Sequence, residues 1–115
     1  MNPKFTADAT LRILCNGEKT FGPGMAQLLE GIERLGSLRR SAAEMGMSYN
    51  KAWNIVRNSE KKLGKTLIER KVGGARGGGA VLTADGQELL QRYRAFETEG
   101  KKALAQLAAQ YFEGM

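Results

Sequence analysis

The chain has 115 residues, a hydrophobic share of 42% and a charged share of 26%, which suits one compact domain around one modest core. Its formal net charge is +6, so a polyanion is the first partner to consider. It holds no histidine and one cysteine, which excludes an internal disulfide and leaves most acid–base and metal chemistry without its usual residues.

The charge is concentrated. From Ser37 to Arg76 there are ten Lys/Arg and three Asp/Glu, a net of +7, while the remaining residues sum to −1. No segment approaches the ~18 consecutive apolar residues of a membrane span. Leu11 to Cys15 is too short for a secretion signal. The lone Cys15 suits a reducing compartment, as a small apolar residue in a strand. A cytoplasmic location is expected.

Along the chain, residues 1–9 are polar and read as loose. Thr10 to Asn16 alternates Leu11, Ile13 and Cys15 against Arg12 and predicts a short strand. Asn16-Gly17 signals a turn, and Lys19 to Phe21 can return as the second strand of a hairpin. Pro23 opens a helix in which Met25, Leu28, Leu29, Ile32 and Leu35 share one face, and Gly36 ends it. Ser37 caps a second helix with Leu38, Ser41, Ala42 and Met45 inward, stopped at Gly46. Ser48 caps a third, running to about Leu63, with Gly64 as its C-terminal signal. Thr66 to Val72 predicts a strand, and Val81-Leu82 its return. Thr83 caps a long last helix from Ala84 to about Glu113, which Gly100 is expected to weaken midway.

Three features carry function. The first is the pair of helices joined at Gly46-Met47. A helix-turn-helix needs a small residue where the helices cross, a glycine in the turn and an apolar plug, and Ala42, Gly46 and Met47 supply them. At roughly 100° per residue, Ala52, Val56, Ser59 and Leu63 fall on one side of the third helix. Asn50, Asn54, Arg57 and Lys61 fall opposite, and these are side chains that read base edges or hold phosphate. Most surface helices carry a polar face, so this alone does not decide. Tyr49 and Trp53 lie on a flank, where packing is the commoner role.

The second feature is GGARGGGA, residues 73–80, at the tip of the predicted hairpin. Glycines at such density allow close backbone approach. Arg76 can enter a narrow minor groove and Lys71 can sit on phosphate. A plain flexible turn is the alternative. A nucleotide phosphate loop is disfavoured, because the G-x-x-x-x-G-K-[ST] order is missing.

The third feature is the last helix. Leu89, Tyr93, Phe96, Gly100, Ala103 and Leu107 recur at heptad-like spacing, with Leu104 and Tyr111 beside them. Such a stripe outruns what a domain this size can cover, and a second copy is the economical partner.

SLRRSAAEMGMSYNKAW (37–53) and RKVGGARGGGAVLTADGQELL (70–90) together resemble the DNA-binding domain of the ModE family of molybdate-dependent regulators. More loosely, AAEMGMS, LIER and LTADG are similar to the winged helix-turn-helix of LysR-type regulators. The resemblance covers roughly residues 22–96. It implies a homodimer that regulates transcription on double-stranded DNA, with the helix from Ser48 as recognition helix and the glycine-rich hairpin as wing. Full ModE-type regulators carry molybdate-binding domains after the last helix. This sequence ends at Met115, so molybdate binding is not expected, and either the chain acts alone or another molecule senses the signal.

The expected fold is mainly α with a small β component, a winged helix-turn-helix with a long C-terminal dimerisation helix. Residues 1–115 form a single domain. Within it, 9–21 is an N-terminal strand or hairpin, and 22–82 is the winged helix-turn-helix, with recognition helix about 48–63 and wing about 66–82. Residues 83–113 form the dimerisation helix. Expected DNA-binding residues are Ser37, Arg39, Ser48, Tyr49, Asn50, Lys51, Asn54, Arg57, Lys61, Lys71 and Arg76. Expected dimer-interface residues are Leu89, Tyr93, Phe96, Leu104, Leu107 and Tyr111. No catalytic motif, metal site or cofactor is expected. A protein–protein module on the same fold is the competing reading, and the central charge concentration weighs against it.

Overall fold

The structure, a computed structural model, describes residues 4–71 and 79–115. The elements run β1 (Ile13–Cys15), β2 (Glu18–Phe21), α1 (Pro23–Leu35), α2 (Leu38–Glu44), α3 (Tyr49–Leu63), β3 (Ile68–Lys71), β4 (Gly79–Leu82) and α4 (Ala84–Phe112). The two strand pairs form separate antiparallel hairpins. In the first, Cys15 lies opposite Glu18 across Asn16-Gly17. The predicted alternation holds, with Leu11, Ile13 and Cys15 half-buried and Arg12 exposed, although the strand proper is shorter than 10–16.

α1 starts with Pro23 in its first turn and buries Met25, Leu28, Leu29 and Ile32. Each large aliphatic side chain so buried contributes about 1.5–3 kcal/mol. Gly36 ends the helix, its N–H donating to the Ile32 carbonyl at 2.7 Å. α2 crosses α1 at Gly31. A Cβ there would lie 2.0 Å from Ser41 Oγ, so the close approach requires glycine. Ser41 Oγ uses the proximity to donate to the Leu28 carbonyl at 2.8 Å. Phe21, Leu38, Ala42, Ala52, Val56, Leu67, Leu90 and Tyr93 complete the core around α1.

β3 and β4 pair Ile68 with Leu82 and Lys71 with Gly79. Ile68, Ala80 and Leu82 turn inward. The base of this hairpin is fastened to the helices. Ala80 N–H donates to the Gly36 carbonyl at 2.9 Å, and Thr83 N–H to the Leu67 carbonyl at 2.9 Å.

α4 differs from expectation in two ways. It passes through Gly100 unbroken, because that position accommodates Leu11: a Cβ would lie 2.7 Å from Leu11 Cδ1. The apolar stripe is also divided. Tyr93, expected to face a partner, is only 2% exposed, packs on Phe21 with ring centroids 5.1 Å apart, and donates its hydroxyl to the Leu11 carbonyl at 2.8 Å. It is a core residue of its own chain, and Leu89 packs half-buried beside the same core. Leu11, before β1, adds to this division by lying against α4, a docking that the polar sequence of residues 1–9 did not announce. Phe5 meets Phe112 at 5.9 Å further along. Phe96, Leu107 and Tyr111 remain exposed at 45, 49 and 70%, with Leu104 half-buried.

Candidate nucleic-acid interface

The helix-turn-helix is built as its residues predict. Ser37 accepts a hydrogen bond from the Arg40 N–H at 3.1 Å, and Ser48 accepts one from the Lys51 N–H at 3.1 Å. Both side chains are therefore committed to starting helices. Between the helices, the N–H groups of Met45 and Met47 both donate to the Ala42 carbonyl at 3.0 Å. Gly46 has φ +67°, a left-handed geometry that side-chain-bearing residues avoid. Met47 packs half-buried against the core as the plug.

α3 presents two opposed faces. Ala52, Val56 and Ser59 are buried, and Ser59 Oγ donates to the Thr20 carbonyl of the N-terminal hairpin at 2.5 Å. Asn50, Lys51, Asn54, Arg57 and Lys61 are all exposed. Arg39 at the start of α2 and Lys71 at the end of β3 are exposed as well. Arg76 lies outside the described residues.

Three residues at this surface have roles the sequence reading missed. Glu60 is 9% exposed and accepts from the backbone N–H of Leu67 at 2.8 Å and of Ile68 at 3.4 Å. It ties α3 to the wing, and it also meets Arg57 at 3.3 Å. Trp53 is not simple packing: the guanidinium carbons of Arg57 and Arg70 lie 4.3 and 4.7 Å from its ring centroid. Arg70, on β3, donates to the Tyr49 hydroxyl at 3.1 Å, while Arg39 lies 4.3 Å over the Tyr49 ring. The neighbouring RK pair in the sequence was the available signal for Arg70.

The electrostatics separate this surface from α4. Every cation of α4, namely Arg92, Arg94, Lys101 and Lys102, pairs with a carboxylate. Among the described residues, Arg39, Arg40, Lys51, Lys61, Arg70 and Lys71 have no carboxylate within 4.0 Å. Their charge is available to an outside anion. Among the described residues, no group of three His, Cys, Asp or Glu could hold a metal ion, and no helix is long and apolar enough to cross a membrane.

Two α-helices joined by a tight glycine turn, followed by a β-hairpin and a long helix, define the winged helix-turn-helix class. The sequence matches the bacterial regulatory helix-turn-helix protein, lysR family, over residues 25–87, and the chain belongs to that family. This is a family of DNA-binding regulators rather than enzymes. The ModE-type resemblance is borne out by individual relatives. The chain is 39% identical to the molybdenum transport protein ModE of Azotobacter vinelandii over 82 residues, 71% of this chain and 30% of that protein. It is 41% identical to the DNA-binding transcriptional dual regulator ModE of Escherichia coli over 71 residues, 62% of this chain and 27% of the other. The molybdenum-pterin-binding protein MopA of Rhodobacter capsulatus is 34% identical over 99 residues, 86% of this chain and 37% of that one. The chain thus spans about a third of the length of the curated relatives it matches.

Proposed function

We propose that the chain binds specific duplex DNA sequences as a homodimer and regulates transcription from them, in the cytoplasm. α3 enters the major groove. Asn50 and Asn54 suit adenine, and Arg57 suits guanine. Arg39, Lys51 and Lys61 hold backbone phosphates on either side, with Tyr49 at the edge of the contact. Ser37 and Ser48 contribute the helix starts, where backbone N–H groups also favour phosphate. The wing, from Lys71 through Arg76, reaches the adjacent minor groove or backbone.

The observation that carries this reading is that, among the described residues, Arg39, Lys51, Lys61, Arg70 and Lys71 around α3 lack carboxylate partners, set against the fully paired cations of α4. For the dimer, support comes from Phe96, Leu107 and Tyr111, three large side chains left exposed on α4. Leu104 lies beside them and Leu89 extends the contact from the protomer side. Tyr93 belongs to the protomer core and is left out.

Selection of bound sequences from a random duplex pool tests the reading. An inverted repeat with half-sites about one helical turn apart, or a multiple of it, is the expected result. Affinity for the selected duplex should fall steeply with salt, as phosphate neutralisation requires. No enrichment, or binding indifferent to salt, would overturn it.

A further inference from the structure

We propose that Trp53, with Tyr49 beside it, is a positioning residue that sets an arginine of the recognition helix and an arginine of the wing as one rigid pair aimed at DNA. The inference rests on the DNA-binding reading above and assigns a role to two residues, Trp53 and Arg70, that this reading does not use.

The geometry is a ladder of planar groups. The Tyr49 and Trp53 rings are parallel to within 6°, with centroids 6.5 Å apart. Arg39 stands over the first ring, and Arg57 and Arg70 over the second. The Arg70 guanidinium also donates to the Tyr49 hydroxyl, which fixes its position along the ladder. Three elements, α2, α3 and β3, are thereby joined through side chains of like charge.

Like charges brought together repel, so something must hold them. Carboxylates do not suffice. Among the described residues, Arg39 and Arg70 have no carboxylate within 4.0 Å, and the one beside Arg57 is Glu60, already engaged by two backbone N–H groups. The negative faces of the two rings are what attracts all three guanidinium groups. A ring attracts a cation without neutralising it and without consuming its N–H donors. Beyond the one donor that Arg57 gives to Glu60 and the one that Arg70 gives to Tyr49, the stacked guanidinium N–H groups stay available for hydrogen bonds to phosphate or guanine. The indole also rests on the apolar core, so packing fixes the ring while its faces hold the cations. A cleft of about 120 Å³ opens beside the rings, lined by Arg39, Tyr49, Trp53, Arg70 and Gly79. It lies between the two elements proposed to touch DNA.

Holding flexible arginines in place before binding removes part of the ordering cost that binding otherwise carries. Trp53 then acts through Arg57 and Arg70 rather than by touching the nucleic acid. Two arms test this on the full chain. Without DNA, the side-chain Nε–Hε resonances of Arg57 and Arg70 should be shifted upfield by the indole. The shift should vanish in Trp53→Leu and persist in Trp53→Phe. Free-arginine positions in the unaltered protein would overturn the proposal whatever the DNA result.

With a duplex recovered by the pool selection, Trp53→Leu should weaken binding by about tenfold, both ring contacts being lost together. Trp53→Phe should recover most of it. Arg70→Lys, which keeps the charge and leaves the core untouched, should lose about fivefold because ammonium does not stack as guanidinium does. In a chain already carrying Arg57→Ala and Arg70→Ala, adding Trp53→Leu should change nothing further. An equal further loss in that background, or unchanged affinity in Trp53→Leu or in Arg70→Lys, would overturn the proposal. Failure of the unaltered chain to select any duplex would overturn the DNA reading itself, while the resonance shifts still judge the ladder.

Discussion

The carboxylate of Glu60, near the end of α3, accepts a hydrogen bond from the backbone N–H of Leu67, at 2.8 Å, just before the wing begins. This side chain thus ties the start of β3 to α3. Glu60→Ala would leave the Leu67 and Ile68 N–H groups buried without partners, at about 1–3 kcal/mol of stability. Glu60→Gln keeps an accepting oxygen and should lose less. Urea unfolding of the two variants checks the order.

Gly31→Ala should destabilise the domain by about 1–3 kcal/mol, since the new methyl group collides with Ser41 in a packed core. Adding Ser41→Ala should restore only part of the loss, because Ser41 Cβ would itself stand 2.7 Å from the new atom. Thermal unfolding of the single and double variants reads both effects. Full restoration would mean that the hydroxyl is the whole obstacle.

Arg57→Ala should cost about 1–3 kcal/mol on the selected duplex and relax preference at one base pair, if Arg57 reads guanine. Arg39→Ala should weaken all duplexes alike and reduce the salt slope by about 1, as loss of one phosphate contact does. Competition binding against duplexes altered at one position distinguishes the two. A uniform loss for Arg57→Ala would move it to the phosphate group.

Tyr93 and Tyr111 should behave oppositely. Tyr93→Phe removes a buried hydroxyl that donates to the Leu11 carbonyl and should lower stability by about 0.5–1.5 kcal/mol at any protein concentration. Burial first, and the charge of Glu97 second, hold this phenol above its usual range. The unfolded chain therefore ionises first as pH rises, and stability falls from the ordinary phenol range upward. Tyr93→Phe should abolish that part of the alkaline loss. Tyr111→Ala leaves the core alone and should weaken self-association, seen by sedimentation at several concentrations.

Arg34 grips Glu44 with two hydrogen bonds, at 3.1 and 2.7 Å, fastening the end of α1 to the end of α2. Hydrogen bonding from Arg34 holds the Glu44 carboxyl below the usual carboxylate range. The native state thus keeps this charge to lower pH than the unfolded chain does. The stabilisation is complete above the ordinary glutamate range and is lost as pH falls through the depressed value. Both groups are half-exposed, so the effect is small. Glu44→Gln should slightly flatten the acid limb of stability against pH, measured by urea midpoints.

Local chemistry made much of this fold legible. The hydroxyls of Ser37, Ser48 and Thr83 each accept an N–H three residues on, as a capping residue must, so the starts of α2, α3 and α4 could be placed from sequence. The inner face of α3 followed from helical periodicity. What periodicity could not show were contacts between distant residues. Leu11 seats against Gly100 and under the Tyr93 hydroxyl, and nothing in either segment names the other. Glu60 is charged and reads as surface. Its burial depends on two unpaired N–H groups that exist only once the chain turns at Gly64. Arg70 and Trp53 likewise acquire their relation only when β3 returns beside α3.

The roots of the wing are secured independently of its tip: Leu67 to Glu60, Ala80 to Gly36, and Thr83 to the Thr66 and Leu67 carbonyls. Such a footing makes the stretch between Lys71 and Gly79 a natural cassette. A chain with that stretch exchanged for one of altered length or composition should unfold at nearly the same temperature. If the wing reads DNA as proposed, its specificity would then change separately from that of α3.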